Sequence, residues 1–523
     1  MRRARFIFLL LAIFSFCSSP KRQVQEKAIR FPAEDWGFPS PLAFYPAGPG
    51  YLRMSLLFDT LVWKDKNGII PWLAKNWQVG DEGKKWEFTL RKGVYFHDRI
   101  ELTAYDVVFS YNYLKKHYFP WVDFSLIDSV QALSKYKVKF NLKEPYVPFL
   151  EEIAGVVPII PKHIWQNVSD PKKFQNQKAL IGTGPFILEK YEGEHGVYIY
   201  KANPNYFLGK PKIDKLLWLP CGDAVLGLTK GDIDAHTLWW QTVEAVDKFQ
   251  NDSRYKIMEG SSDWILKLIF NTKNPLLNDP KIRQAIAYAI NRQELCRRVK
   301  HNHAIPGNPG IILPYSKWYN PHINQYNFSL SKAQRLLIQA GFDMQDKNGI
   351  RVNKKGEHLS FTLTFSPEYS REAEFIQKAL SQIGIKIKFR TMDLKTLFNL
   401  LNGKWAEFDL ALNGHGGVAG DPDMLRRWFA YPYANNGFWQ NEQFQKLARE
   451  QKKILSPEKR KQIIDKMQEI IANDLPVLVL WYPKIYFVYN PKVWDNWFFT
   501  AGGIAIGIPS PLNKLAFLPE NAQ

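Results

Sequence analysis

Between about residues 330 and 480 the apolar period of the chain switches back and forth, and this limits the fold more than any other feature. SLSKAQRLLIQAGF has helical spacing and stops at Gly341, a residue suited to the left-handed C′ position. HLSFTLTF alternates like a strand, EAEFIQKALSQIG returns to helical spacing, and IKIKF alternates again. LKTLFNLLNGK, FDLAL, SPEKRKQIIDKMQEIIANDLP and VLVLWYP continue the series, with Ser456 as an N-cap. Alternating strands and helices are the mark of an α/β lobe.

The region from about 60 to 180 has a different texture, richer in hairpins. KWEFTL and RKGVYFHD read as two strands around a turn at Lys92-Gly93. LTAYDVVFSYNYLKK reads as a helix with Thr103 as N-cap and Asp106 at the capping-box position. KYKVKFNL alternates as a half-buried strand, and residues 181–206 read as turn, strand, turn, strand. DPKIRQAIAYAINRQELCRRV reads as one long helix with Pro280 in its first turn. Two textures predict two lobes with a cleft between them. A length of 523 residues with 46% hydrophobic content allows two or three domains.

The N-terminus predicts export. MRRAR is a basic leader, and FIFLLLAIFSF has the length of a signal h-region, too short to span a bilayer. Cys17 follows directly, as in a bacterial lipoprotein signal in which that thiol is acylated; Phe16 departs from the small residue usual before it. Cys221 and Cys296 are left as a possible pair or as two free thiols. The formal charge of +20 favours anionic partners, but the lysines are scattered as on a solvated surface, and no nucleic-acid-binding signature occurs.

The motifs of common enzymes are missing: no G-x-S-x-G, H-E-x-x-H or G-x-x-x-x-G-K-[ST] is present. Cys296, His301, His303 and His415 are the metal candidates, and they do not form a full ligand set. NGHGGVAGDPD (413–423) contains G-x-G-x-x-A, but no helix opens within it. Asp421 suits the N-cap and Pro422 the first position of a helix MLRRWFA. Its glycines, including 414, 416, 417 and 420, would let a ligand approach the backbone. Tyr369, Ser370 and Arg371 sit in a loop between a strand and a helix, where binding residues concentrate. Trp264, Trp405 and Trp439 could wall a pocket or fill the core.

Five blocks in order resemble one family, the family-5 extracellular solute-binding proteins of bacterial ABC importers. They are LFDTLVWKDKNGIIPWLAKNWQV (57–79), WEFTLRKGVYFHDRIELTAYDVVFSYNYL (86–114), IGTGPF with NPNYFLGKPKID (181–186, 203–214), FNTKNPLLNDPKIRQAIAYAINR (270–292) and SKAQRLLIQAGF (331–342). Read physically, the blocks are scaffold. Gly182, Gly184 and Pro185 form a turn; Phe96, Val107, Phe109 and Tyr113 are core; Arg91 makes an ion pair. The resemblance implies a two-lobed α/β periplasmic-binding-protein fold (cluster C, class II type) with an extra α+β domain. It divides the chain into a signal peptide at 1–16, a linker at 17–29, a discontinuous first lobe at 30–62, 178–270 and 482–523, an extra domain at 63–177 and a second lobe at 271–481.

It further implies a receptor and not an enzyme. Such a receptor holds a small solute, a peptide by default, with Tyr369, Arg371, Asn413, His415, Gly416, Gly417, Val418, Trp439, Trp405 and Trp264 as candidates for the cleft. Arg371 matches an arginine that can meet a ligand carboxylate. His415 and Val418 stand where many peptide-binding members have a tryptophan and an acid for the ligand ammonium. The implied partners are the ligand, an ABC permease and ATPase, and a membrane through a lipid anchor on Cys17; no nucleic acid, cofactor or metal is implied, and the protein would be a monomer, periplasmic or at the cell surface. The alternatives are a surface lipoprotein of the same fold that binds anionic partners, and a receptor for a non-peptide solute or metal chelate.

Overall fold

The strand Val477–Tyr489 organises much of the molecule. Its sequence, VLVLWYPKIYFVY, is almost wholly β-branched, aliphatic or aromatic, and all but one of its residues are buried, as in a strand covered on both faces. The computed structural model describes residues 26–45, 48–261, 263–403, 407–416, 420–430 and 437–520. Cys17, Trp405, Gly417 and Val418, and the side chain of His415, lie outside the described residues.

Trp264–Phe270 pairs antiparallel with both the long strand and Leu410–Gly416, and Ser360–Phe365 runs parallel to Leu410–Gly416 and to Lys386–Thr391. At the other end of the long strand, Ala235–Leu238 and Lys256–Ser261 pair with its last residues. Lys256–Ser261 and Trp264–Phe270 thus both run beside Val477–Tyr489 in this mixed sheet. The sheet is coated on both sides. Leu478 and Leu480 join a core with the helices Pro280–Ala289, Leu330–Gln339 and Ser370–Ser381, while Val477 and Val479 join another with Met424–Phe429 and Pro457–Asp474.

Two four-stranded sheets share a third core. One holds Ala28–Pro32, Lys215–Leu219, Val197–Ala202 and Phe186–Glu192; the other holds Ala74–Gly80, Lys85–Leu90, Lys137–Leu142 and Ile127–Ser134, covered by the helix Ala104–Lys116. The turn at 182–185 packs against this core. A Cβ on Gly182 would lie 2.1 Å from the Leu57 carbonyl oxygen, and one on Gly184 2.4 Å from that of Leu56, so both glycines are needed for close approach of backbones.

The local end signals hold. Asp106 Oδ2 accepts the Thr103 N–H at 2.9 Å, Ser456 Oγ accepts the Lys459 N–H at 3.3 Å, and Gly341 has φ +88°. Several other readings change. RKGVYFHD is not a strand. Lys85–Leu90 already has Ala74–Gly80 and Lys137–Leu142 on its two edges, and residues 91–103 instead form a loop pinned by the His97 N–H on the Gly182 carbonyl at 2.8 Å. The helix from Pro280 breaks at Ile290, because Asn291 turns its side chain to cap a second helix, Arg292–Val299, at the Glu294 N–H.

Arg91 donates to the Trp72 carbonyl at 2.7 Å and has no ion-pair partner among the described residues. Phe109 is only half-buried, packed against the edge of the core and lining a groove, whereas Phe96, Val107 and Tyr113 are buried. Cys221 and Cys296 are both free; burial pushes the Cys296 thiol up to about 12, so it is an inert apolar side chain. Asp421 is not the N-cap. The helix begins at Met424, and Asp421 accepts the Asp423 N–H at 2.8 Å while holding Arg460 in a two-pronged ion pair.

Candidate functional site

The glycine-rich stretch begins as a strand, not a loop. Asn413, Gly414, His415 and Gly416 complete Leu410–Gly416, opposite Lys267, Leu266, Ile265 and Trp264. Gly414 makes room for an indole, because a Cβ there would lie 2.5 Å from Trp264 Nε1; a Cβ on Gly416 would meet Trp264 Cε3 at 3.4 Å, an ordinary contact. Trp264, itself a cleft candidate, lies over the backbone of Gly414. Its ring stacks on Trp240, with centroids 5.0 Å apart and planes at 13°.

Beside this stack lies a cavity of about 330 Å3, at the small end of ligand-site volumes. One wall is Trp240, Gln241 and Glu244, from the segment after Ala235–Leu238. The opposite wall is Glu368, Tyr369, Arg371 and Glu372, where Ser360–Phe365 leads into Ser370–Ser381. Val299, Lys300 and Trp481 complete it.

The charges in this cavity are only loosely matched. Glu372 is 2% exposed, and its cation, Lys300, is 3.9 Å away, also lying 4.8 Å over the Trp481 ring. Burial raises the Glu372 pKa above the usual carboxylate range, and Lys300, with smaller help from Trp481 and Arg371, offsets this only in part. The Trp481 indole N–H is buried and reaches Glu372 only outside good hydrogen-bond geometry, with no other partner among the described residues. Arg371 is exposed, with no ion-pair partner among them. Burial, and then Glu368, push the Tyr369 hydroxyl well up, so it stays a neutral donor and acceptor. The site therefore offers a free guanidinium, an under-paired carboxylate and an aromatic wall, a set suited to a small zwitterion.

Two contacts bridge the mouth. His301 Nε2 lies 3.6 Å from Glu244, and His303 Nε2 lies 3.9 Å from Asp247. His301 and Asn302 have φ of +48° and +65°, so this segment is a turn and not the extended pair that would aim both rings at one metal. Among the described residues no cluster of three metal-ligating side chains occurs.

Tyr369, Arg371 and Trp264 thus come together, with Gly416 beneath Trp264. Asn413 lies in register with Lys267, whose buried ammonium is pushed down to about 7 by burial and sits 4.5 Å from the Trp428 ring. Trp439 packs in the core against Phe429 and Phe444, its indole N–H on Asp474 at 2.9 Å. Trp240, Lys300, Glu372 and Trp481 were not foreseen. The Trp239-Trp240 doublet after a strand, and an acid directly after Arg371, were the available signals.

Comparison with known proteins places this geometry in context. The family described as Bacterial extracellular solute-binding proteins, family 5 Middle, matches residues 68–437. The chain is 29% identical over 450 residues to the oligopeptide-binding protein AppA of Bacillus subtilis, covering 80% of this chain and 81% of that protein. It is 26% identical over 449 residues to the dipeptide-binding protein of Escherichia coli, covering 80% and 82%. Among solved structures, the ABC transporter-associated periplasmic binding protein DppA of Helicobacter pylori, in complex with the peptide STSA, superposes with a TM-score of 0.69 at 25% identity, covering 92% of this chain and 96% of that one.

Proposed function

The chain belongs to family 5 of the bacterial extracellular solute-binding proteins, and on that premise we propose that it captures a short peptide in the cavity between Trp240 and Arg371 for delivery to an ABC permease. It has the two-lobed fold of that family and is a receptor, not an enzyme. The observation that carries the ligand reading is the pairing of an unmatched Arg371 with an under-paired Glu372 in one cavity. Arg371 would take the peptide carboxylate, and Glu372 with the Trp481 N–H would turn to the polar groups that follow it.

In this reading the walls belong to two lobes. Residues 30–62, 178–270 and 482–523 form one, 63–177 the extra domain, and 271–481 the other, with the crossings near 270 and 481 as hinge. The His301–Glu244 and His303–Asp247 contacts bridge the lobes, and a ligand bound between the walls would favour that closed arrangement. Cys17 would anchor a monomer to the membrane, with the cleft in the periplasm or at the cell surface.

Mass spectrometry of solute released from natively purified protein tests the ligand class. Short peptides are the expected result. Release of non-peptide solutes alone, such as a metal chelate, would replace the peptide by that class.

A further inference from the structure

A groove of about 860 Å3 lies away from the interlobe cavity, on the extra domain. Its floor is the helix Ala104–Lys116, which is apolar on two sides. Ala104, Val107, Ser110, Tyr111 and Leu114 are buried. Tyr105, Val108, Phe109, Asn112, Tyr113 and Lys116, at spacings of three and four, line the groove, with Tyr113 largely buried at its base and Val108 and Phe109 packed on the core at one side. Phe109, Tyr113 and His117 form a ladder, with centroids 5.3 Å and 4.3 Å apart. The facing wall is residues 166–169, tied to the ladder by the Tyr113 hydroxyl donating to the Val168 carbonyl at 2.8 Å.

The groove side of this helix leaves Tyr105 exposed and Val108 and Phe109 only half-buried, an apolar surface that a purely solvated face would not carry. The charge is also one-sided. No lining residue is Asp or Glu, while Lys116 and Lys162 both face the groove and neither has an ion-pair partner among the described residues. The carboxylate felt by Tyr113 and His117 is Asp170, which is paired with Lys173 at 3.3 Å.

We propose that this groove is a second ligand site, independent of the interlobe cavity, for a planar aromatic compound that carries an acidic group. The ring lies against Tyr105 and Phe109, the acid meets Lys116 and Lys162, and the Asn112 and Gln166 amides take the remaining polar atoms.

The test is a fluorescence titration of the full chain with anilinonaphthalene sulfonate, against its uncharged analogue N-phenylnaphthylamine. The sulfonate should bind at one saturable site, and the neutral analogue about tenfold more weakly, the value of one charge-assisted hydrogen bond. The double variant Lys116→Glu/Lys162→Glu, checked for unchanged thermal unfolding, should lose about tenfold in sulfonate affinity. Phe109→Ala should weaken both probes, and Arg371→Ala should change neither. Equal affinity of the two probes, an unaffected charge-reversal variant, or loss of the sulfonate in Arg371→Ala would overturn the proposal.

Discussion

Two buried carboxylates differ in what surrounds them. Asp59 is fully enclosed and takes Lys514 at 2.5 Å, Trp72 Nε1 at 2.7 Å, Thr183 at 2.9 Å and Tyr206 at 3.2 Å. Glu372 is nearly as buried, but its cation stands 3.9 Å away and the indole N–H beside it reaches it only outside good hydrogen-bond geometry. The first is matched on every side, and its neighbours come from segments as distant as 72, 183, 206 and 514, which it joins into one core. The second is left partly unmatched at the edge of a cavity. A fold that satisfies one buried acid so fully and leaves another short has put the shortfall where a ligand can make it good.

The sharpest break in that comparison is Asp59→Ala. It strands the buried Lys514 ammonium and should cost about 3–5 kcal/mol in urea unfolding. Loss of less than about 1 kcal/mol would mean that water replaces the carboxylate and the network is not sealed.

Next come the two glycine pairs. Gly184→Ala and Gly414→Ala should each destabilise by about 1–3 kcal/mol. The first should be the larger, because it meets the fixed Leu56 carbonyl, whereas the second meets the Trp264 indole. Gly414→Ala should also alter tryptophan fluorescence, since Trp264 must shift from its stack on Trp240. An unchanged spectrum would mean that Trp264 does not lie over the strand.

The smallest effect is Glu372→Gln, worth under about 1 kcal/mol at neutral pH because the ion pair is so loose. Its sign depends on pH. The folded pKa of Glu372 is raised, so the native state holds its proton more tightly than the unfolded chain does. The stability this gives is complete below the unfolded carboxylate range and is lost as pH rises through the folded value. Relative to wild type, Glu372→Gln should therefore gain stability as pH rises from about 4 to 7. The opposite trend in pH-dependent denaturation curves would show that Glu372 is well paired after all.

What the sequence made legible was local. The caps at Thr103 and Ser456, the stop at Gly341 and the alternation of KVKFNL depend on residues a few positions apart, and they appear as read. The break before Asn291 was hidden because the apolar spacing runs through it, and only the side chain of one residue ends the helix. RKGVYFHD has a strand's composition, but both edges of its intended partner were already taken by more distant segments. The candidate cavity was legible at Tyr369 and Arg371, which lie in one strand-to-helix connection. It was not legible at Trp240, Lys300 and Trp481, which meet only because the long strand pairs with 264–270 on one stretch and 235–238 on another. Gly414 suggested open backbone; Trp264, across the strand pair, is the reason for it.

The central claim is that Arg371 receives the ligand carboxylate. Calorimetry should compare a tripeptide with its C-terminal amide, on wild type and on Arg371→Ala, as a double-mutant cycle. Wild type should favour the free carboxylate by about tenfold, and Arg371→Ala should bind both peptides alike. A preference for the carboxylate that survives in Arg371→Ala would contradict the account and move the ligand's acid to another residue.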